Sequence, residues 1–322
     1  MPGVPTAAAA APRAGREELA RRLRKLQMVF PIGDIRAEAV TPAQVVDYYE
    51  LCHQAYRKYH SAEGAVHMAL NHNDRFDAGG FSGQLQRIEQ RWATEGRVPV
   101  EVLELAFGQG FNLAYLAGRH PACRLAGIDL TPAHADIAAR RLQREGHHAV
   151  GLTLGDFHRL PYADEAFDEA FCIEAFCHAH NPRQAFGELT RVLRRGARFT
   201  LFDGYLPRPP SLLEADEALA VELVARGLAV DALQVLDELL ALAQAAGLVV
   251  ESVTVLDAEV MPSLRRLQRL TDAVIRWPWL GRWALSRRPA LRGRNVLAGT
   301  LMCSSVALGL IGYREIVLRK PR

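Results

Sequence analysis

The feature that most restricts this chain is a change of period near residue 99. From there on, short β-prone runs alternate with helical patterns, and the first runs end in glycine or an acid. Val100 to Leu105 (VEVLEL) is followed by glycines, Arg124 to Asp129 (RLAGID) ends in an acid, and Val150 to Leu154 stops at Gly155 and Asp156. Phe167 to Ile173 and Ala197 to Asp203 (ARFTLFD) continue the series. Asn112 to Gly118, Pro132 to Glu145 and residues 182 to 194 read as the helices between them. Alternation with joins this short predicts a parallel, doubly wound sheet.

The flanks have another texture. Arg16 to Met28 reads as a basic amphipathic helix, Pro42 to Lys58 follows Thr41 as a potential N-cap, and Gln84 to Thr94 is a third helix. After Pro207, helical patterns run from Leu212 to Ala225 and from Asp231 to Ala246. Leu248 to Leu256 is strand-like, Pro262 to Trp277 is amphipathic, and Tyr313 to Leu318 (YREIVL) is a last strand. The piece WPWLGRWALSRRPALRGR (277–294) follows no regular pattern. The expected architecture is α/β: a Rossmann-like core (99–206) with a mostly parallel sheet, an N-terminal helical cap (16–98), and a C-terminal part (207–322) with a helical insertion between the last two strands. Residues 1–15 read as a disordered leader without the apolar core of a secretory signal.

With 49% hydrophobic and 23% charged residues, the chain has enough apolar material for a sizeable core. A net charge of +3 with no basic, aromatic-interleaved run argues against a nucleic-acid partner. The 39 basic residues are nearly all arginine, the usage of a GC-rich bacterial genome. Five scattered cysteines form no disulfide or metal spacing and fit a reducing compartment, so the expected location is cytoplasmic. Residues 295–312 carry no charge, lie near the lower length limit for a membrane span, and read as a buried or membrane-touching helix. With the tryptophans before them, they make 277–312 the expected place of any peripheral membrane contact. Nothing in the sequence speaks to oligomeric state.

ELAFGQGFN (104–112) follows the first strand and opens a helix. Gly108 and Gly110 let backbone approach a ligand, and the N–H groups of the helix start, where Asn112 stands as a further candidate cofactor contact, favour negative charge. Asp129 ends the second strand, where an acid accepts hydrogen bonds from both hydroxyls of a ribose. Asp156 ends the third, placed for an adenine amino group while Phe157 stacks on the ring. NAD and S-adenosylmethionine both use such an arrangement. Leu113 stands where a dinucleotide site has its third glycine, and Glu104 precedes the turn, able to meet an amino-acid ammonium or to shape the turn. Both features favour S-adenosylmethionine.

IEAFCHAH (173–180) sits where the fourth strand hands over to a loop, the position of ligand chemistry in an open α/β sheet. ELAFGQG, GIDLTPAHADIAARR, LGDFHRLPYADEAFD and RVLRRGARFTLFD together resemble the class I S-adenosylmethionine-dependent methyltransferases. IEAFCHAH narrows the resemblance to the sterol C-24 methyltransferases, whose corresponding segment reads IEATCHAP. The tyrosine-rich VVDYYELCHQAYRKYHSAEGAVHMAL also resembles their segment ahead of the turn. The likeness covers residues 44–205 and fades in the C-terminal third. It departs at the turn itself, where the family's first glycine is Ala106 and the cysteine after it is Phe107.

The resemblance implies methyl transfer onto an alkene carbon of an apolar, sterol- or isoprenoid-like acceptor, followed by loss of a proton. Tyrosine faces stabilise cations, which makes Tyr48, Tyr49, Tyr56 and Tyr59, with Phe176 near the motif, candidates beside Glu174 and His178, the latter the proton acceptor. O- or N-methylation of a lipophilic small molecule, with His178 as base, stays open, as does a non-catalytic cofactor-binding role. Glu174, His178 and His180 have no second cluster to complete a metal site, so none is expected.

Overall fold

The computed structural model describes residues 13–286 and 290–322. Most of the expected leader lies outside the described residues, but Arg13 already begins a helix. In chain order the elements are α1 (Arg13–Val29), α2 (Ile32–Ala37), α3 (Pro42–Ala55), α4 (Gly83–Thr94), β1 (Glu101–Leu105), α5 (Phe111–Arg119), β2 (Arg124–Asp129), α6 (Pro132–Arg144) and β3 (Gly151–Leu154). They continue with β4 (Phe167–Ile173), α7 (Pro182–Val192), β5 (Leu193–Tyr205), α8 (Ala215–Gly227), α9 (Leu236–Ala245), β6 (Val249–Val255), α10 (Asp257–Ile275), α11 (Pro278–Ser286), α12 (Ala290–Ala307) and β7 (Gly312–Arg319).

The strands form one sheet in the order β3-β2-β1-β4-β5-β7-β6. β1 pairs in parallel with both β2 and β4, β2 with β3, and β4 with β5; β7 runs antiparallel between β5 and β6. The strand order reverses between β1 and β4, and the crevice beyond their carboxyl ends is where an open α/β sheet binds ligands. These two central strands are covered on both faces, which explains their apolar runs: Leu103, Leu105, Phe171 and Cys172 are fully buried. α7 starts directly after the loop because the Asn181 side chain accepts the Gln184 N–H and Pro182 needs no donor there. A capping box between Thr41 and Gln44 starts α3 in the same way.

Two sequence expectations change, and for 295–312 the buried alternative is the one observed. The helix expected from Asp231 begins only at Leu236, because the backbone at Val235 bridges Leu206. The irregular Trp-rich piece contains the helix α11. The uncharged run is the greater part of α12, packed between α8 and α10, with Leu297, Ala298 and Leu301 buried. Glycines permit that close fit: a Cβ on Gly227 would come 2.7 Å from the Ala298 nitrogen, and one on Gly299 would come 2.6 Å from the Thr271 methyl. Lack of charge in 295–312 therefore reflects burial. Among the described residues, no helix is long and apolar enough to cross a membrane.

Candidate active site

Two cavities meet at the end of β4. The first, about 270 Å³, lies over the ends of β1 to β4 beneath the start of α3, and Gly108, Asp129, Asp156, Phe157 and His178 line it. The second, about 440 Å³, is walled by α10 and α12, with Val260, Leu264, Leu267, Val296, Met302 and Val306 facing it. Tyr49, Val66, Glu174, Cys177 and His178 line both. The stretch 173–180 is thus a partition between a chamber over the strand ends, which holds Asp129 and Asp156, and a chamber walled by helices.

The first chamber is shaped by the turn after β1. Gly108 and Gly110 have φ of +53° and +74°, a region open to glycine. A Cβ on Gly108 would reach Val66 at 3.0 Å, and one on Gly110 would reach Ala138 of α6 at 2.8 Å. Gly110 therefore serves helix packing, whereas Gly108 lines the cavity. Both oxygens of Asp129 are engaged: one accepts the Gly108 N–H at 2.8 Å, the other the Thr131 N–H at 2.8 Å. Each keeps a second lone pair. The carboxylate thus couples the ends of β1 and β2 and still has acceptors for a ligand.

Asp156 is held by its neighbour. Its Oδ1 accepts from the His158 N–H at 2.9 Å and from the His158 ring at 2.5 Å. The Asn181 N–H donates to His158 Nε2 at 3.3 Å, which puts the ring proton on Nδ1. Burial alone would raise the Asp156 pKa, but these bonds outweigh it and hold the group ionised. Asp156, His158 and His180 lie close enough to suggest a metal. His158, however, has a proton on one nitrogen and a bonded lone pair on the other, so it offers a cation nothing. The His180 ring lies against the His158 ring, tilted by 36° with centroids 3.8 Å apart. Phe157 stacks between His158 and Phe176.

Glu104 and Asn112 lie beneath the turn and line neither cavity. Asn112 donates to Glu104 Oε1 at 2.7 Å, and its Oδ1 faces His67 Nε2 at 3.1 Å. Of the two sequence readings of Glu104, this geometry fits shaping the turn. Burial raises the Glu104 pKa to about 8. Tyr48 also leaves the set: it is fully buried, bonded to Asn295 and to the Tyr56 hydroxyl, and faces neither chamber. In the spacing of α3, Tyr49 points to the site and Tyr48 to the core.

Glu174 occupies the partition in a left-handed conformation, φ +50°. Among the described non-glycine residues that conformation occurs at Ala106, Glu165, Glu174 and Ala229, and all but Glu165 line the first cavity. Such strain concentrates at functional sites. Glu174 Oε1 accepts from the Met68 N–H at 2.7 Å and the Tyr313 hydroxyl at 2.8 Å. Gln84 closes the ring, donating to the Met68 carbonyl at 2.8 Å and to the Tyr313 hydroxyl at 3.1 Å. Oε2 accepts no hydrogen bond from the described residues. Burial pushes the Glu174 pKa up to about 8 despite both donors. His178 Nε2 lies 3.0 Å from the Tyr49 hydroxyl, and burial lowers its pKa to about 4, against a weaker pull from the Ala229 backbone. It is therefore neutral and a poor proton acceptor, while Glu174 is a stronger base once ionised. Asp203, on the floor of the second chamber, is raised to about 6 by burial.

Sequence reasoning passed over Val66, Gln84, Asp203 and Tyr313. Tyr313 reaches Glu174 only because β7 returns antiparallel to β5 with Tyr313 opposite Gly204. An isolated YREIVL run cannot announce that register.

The chamber chemistry fits S-adenosylmethionine. Its described lining holds carboxylates and no Arg or Lys, suiting a sulfonium and an ammonium better than a pyrophosphate. Residues 103–201 match the family described as a methyltransferase domain. A sterol methyltransferase-like 2 of Botryococcus braunii is 36% identical over 95 residues, 29% of this chain and 23% of that protein. A 24-methylenesterol C-methyltransferase 2 of Oryza sativa subsp. japonica is 28% identical over 173 residues, 52% of this chain and 46% of that one. The chain spans less than half the length of the curated relatives it matches. In fold, it superposes on a geranyl diphosphate methyltransferase solved with GPP and sinefungin, with a TM-score of 0.62, 16% identity, and coverage of 87% of this chain and 98% of that one. Residues 103–201 are thus a class I methyltransferase domain whose cofactor is S-adenosylmethionine, in a chain that resembles the sterol C-24 methyltransferases.

Proposed function

We propose that this protein transfers a methyl group from S-adenosylmethionine to a carbon of a neutral, lipophilic, isoprenoid- or sterol-like acceptor. The observation that carries the reading is the shared wall: a chamber that holds Asp129 and Asp156 at the strand ends and a chamber walled by apolar side chains of α10 and α12 meet at Tyr49, Val66, Glu174, Cys177 and His178, which line both. Bound in the first chamber, the cofactor supplies an electrophilic methyl on a sulfonium. Gly108 would let it approach the turn, Asp129 would hold the ribose, and Asp156 and Phe157 the adenine. The apolar chamber takes the acceptor. Its described lining has no Arg or Lys to meet a diphosphate. This separates the expected acceptor from geranyl diphosphate.

When an alkene carbon takes the methyl, positive charge is left on the acceptor. The rings of Tyr49 and Tyr56, both in the second chamber, face that charge. A cation beside Glu174 favours its ionised form, so its unbonded Oε2 is the group to take the proton. His178 then orients Tyr49. An acceptor of this kind sits in a membrane or on a carrier. The test is incubation with methyl-labelled cofactor and either neutral lipid fractions or prenyl diphosphates. Alkali-stable label in a neutral lipid is expected. Label in the diphosphates, or label released by alkali as from an ester, contradicts the reading.

A further inference from the structure

Trp277, Trp279 and Trp283 are 53%, 73% and 52% exposed, on and just before a helix of 9 residues. Three indoles exposed together within seven residues are more apolar surface than scattered single side chains and mark an interaction site. Arg276 and Arg282 are exposed with them, and the Arg276 guanidinium lies 4.9 Å over the Trp277 ring. Residues 276–294 contain six arginines and no acidic residue. The helix is fixed in place, since a Cβ on Gly281 would come 2.4 Å from the Val274 carbonyl oxygen. Val274 lines the apolar chamber, and Leu270, one turn earlier on α10, lines it while being 43% exposed. The chamber therefore opens to the surface beside the indoles.

We infer that this corner of α10 and α11 docks on an anionic phospholipid surface, and that the acceptor enters the chamber from the bilayer. Indoles suit the boundary between water and acyl chains, and arginines meet lipid phosphates. A helix of 9 residues, roughly 14 Å long, lies in that boundary and cannot span it. Self-association through the same face would oppose like charges. The inference rests on the apolar-acceptor reading and adds where the acceptor comes from.

The full chain, without cofactor or acceptor, is sedimented with vesicles of phosphatidylcholine alone and of phosphatidylcholine with phosphatidylglycerol. Binding is expected to the anionic vesicles and to weaken with salt. Arg276→Ala with Arg282→Ala should weaken it roughly 25-fold, about five-fold for each arginine. Trp279→Ala with Trp283→Ala should weaken it by about ten-fold or more. None of these side chains lines a chamber, so both double variants should keep wild-type affinity for S-adenosylhomocysteine. Absence of binding to anionic vesicles overturns the inference. So does binding unchanged in both variants, or a wild-type dimer that the tryptophan variant converts to monomer. The readout needs no turnover, so its failure leaves the methyl-transfer reading standing, and failed methyl transfer leaves vesicle docking standing.

Discussion

The two chambers share a wall but are built on opposite principles. The first is assembled from consecutive strand ends, so Gly108, Asp129 and Asp156 come to it in chain order, each through the local rule that a strand stops there. The second is assembled from segments far apart, α3, the end of β5, α10, α12 and β7, and is recruited by helix packing across glycines. The first binds through fixed carboxylates and backbone; the second through apolar area with few polar anchors. Cofactor identity is therefore a local property of this chain, and acceptor identity a tertiary one.

The comparison breaks most visibly at Glu174. Glu174→Gln should leave S-adenosylhomocysteine affinity unchanged and cut turnover by roughly 100-fold or more, the cost of a lost base. Loss of both together would make Glu174 a cofactor residue only. Wild-type turnover should rise with pH as Glu174 ionises through about 8. Stability should do the reverse: between the ordinary carboxylate range and about 8 the unfolded chain binds fewer protons than the folded one, so stability falls as pH rises. That slope should be shallower in Glu174→Gln, read as melting temperature against pH, with Glu104 and Asp203, also raised by burial, contributing to what remains.

Asp129→Ala tests the other chamber. It should weaken cofactor binding by about 1.5–3 kcal/mol, roughly 10- to 150-fold, while leaving the acceptor KM alone. Calorimetry showing unchanged affinity removes Asp129 from the site. Tyr313→Phe is a smaller change at the wall. It deletes one donor to Glu174, so the pH midpoint of turnover should move up and activity at neutral pH fall by roughly five-fold. A fall in activity with an unmoved midpoint would mean that Tyr313 only supports packing.

How much of this was legible follows the same division. The strand ends, the turn and the partition stretch could be read because position on an α/β sheet assigns a role before any contact is known. Tyr48 and Tyr49 could not be told apart, since adjacent residues on a helix differ by about 100° and only packing shows which faces the site. Their identity as tyrosines was visible; their direction was not. The uncharged 295–312 could be read as a buried or as a membrane-touching helix, because burial within protein and burial within a bilayer select the same residues. Its partners α8 and α10 decide between them. His178 suited a base by its unperturbed pKa; burial lowers that value to about 4, which is why the proposed base is Glu174.

The smallest expected effect concerns the turn. Ala106 has φ +56° where the resembled family has glycine. Ala106→Gly should stabilise the fold by about 0.5–1 kcal/mol, the relief of a left-handed alanine less the entropy of glycine. A drop in melting temperature would show that the Ala106 methyl is needed by the chamber it lines.

The most direct test is a crystal structure with S-adenosylhomocysteine and a neutral isoprenoid bound together. The sulfur should lie on the Asp129 side of Glu174 and the acceptor chain between α10 and α12, with the reactive carbon close enough to the sulfur to leave room for one methyl group. A cofactor that contacts neither Asp129 nor Asp156, or an acceptor bound outside the α10–α12 chamber, would contradict the account.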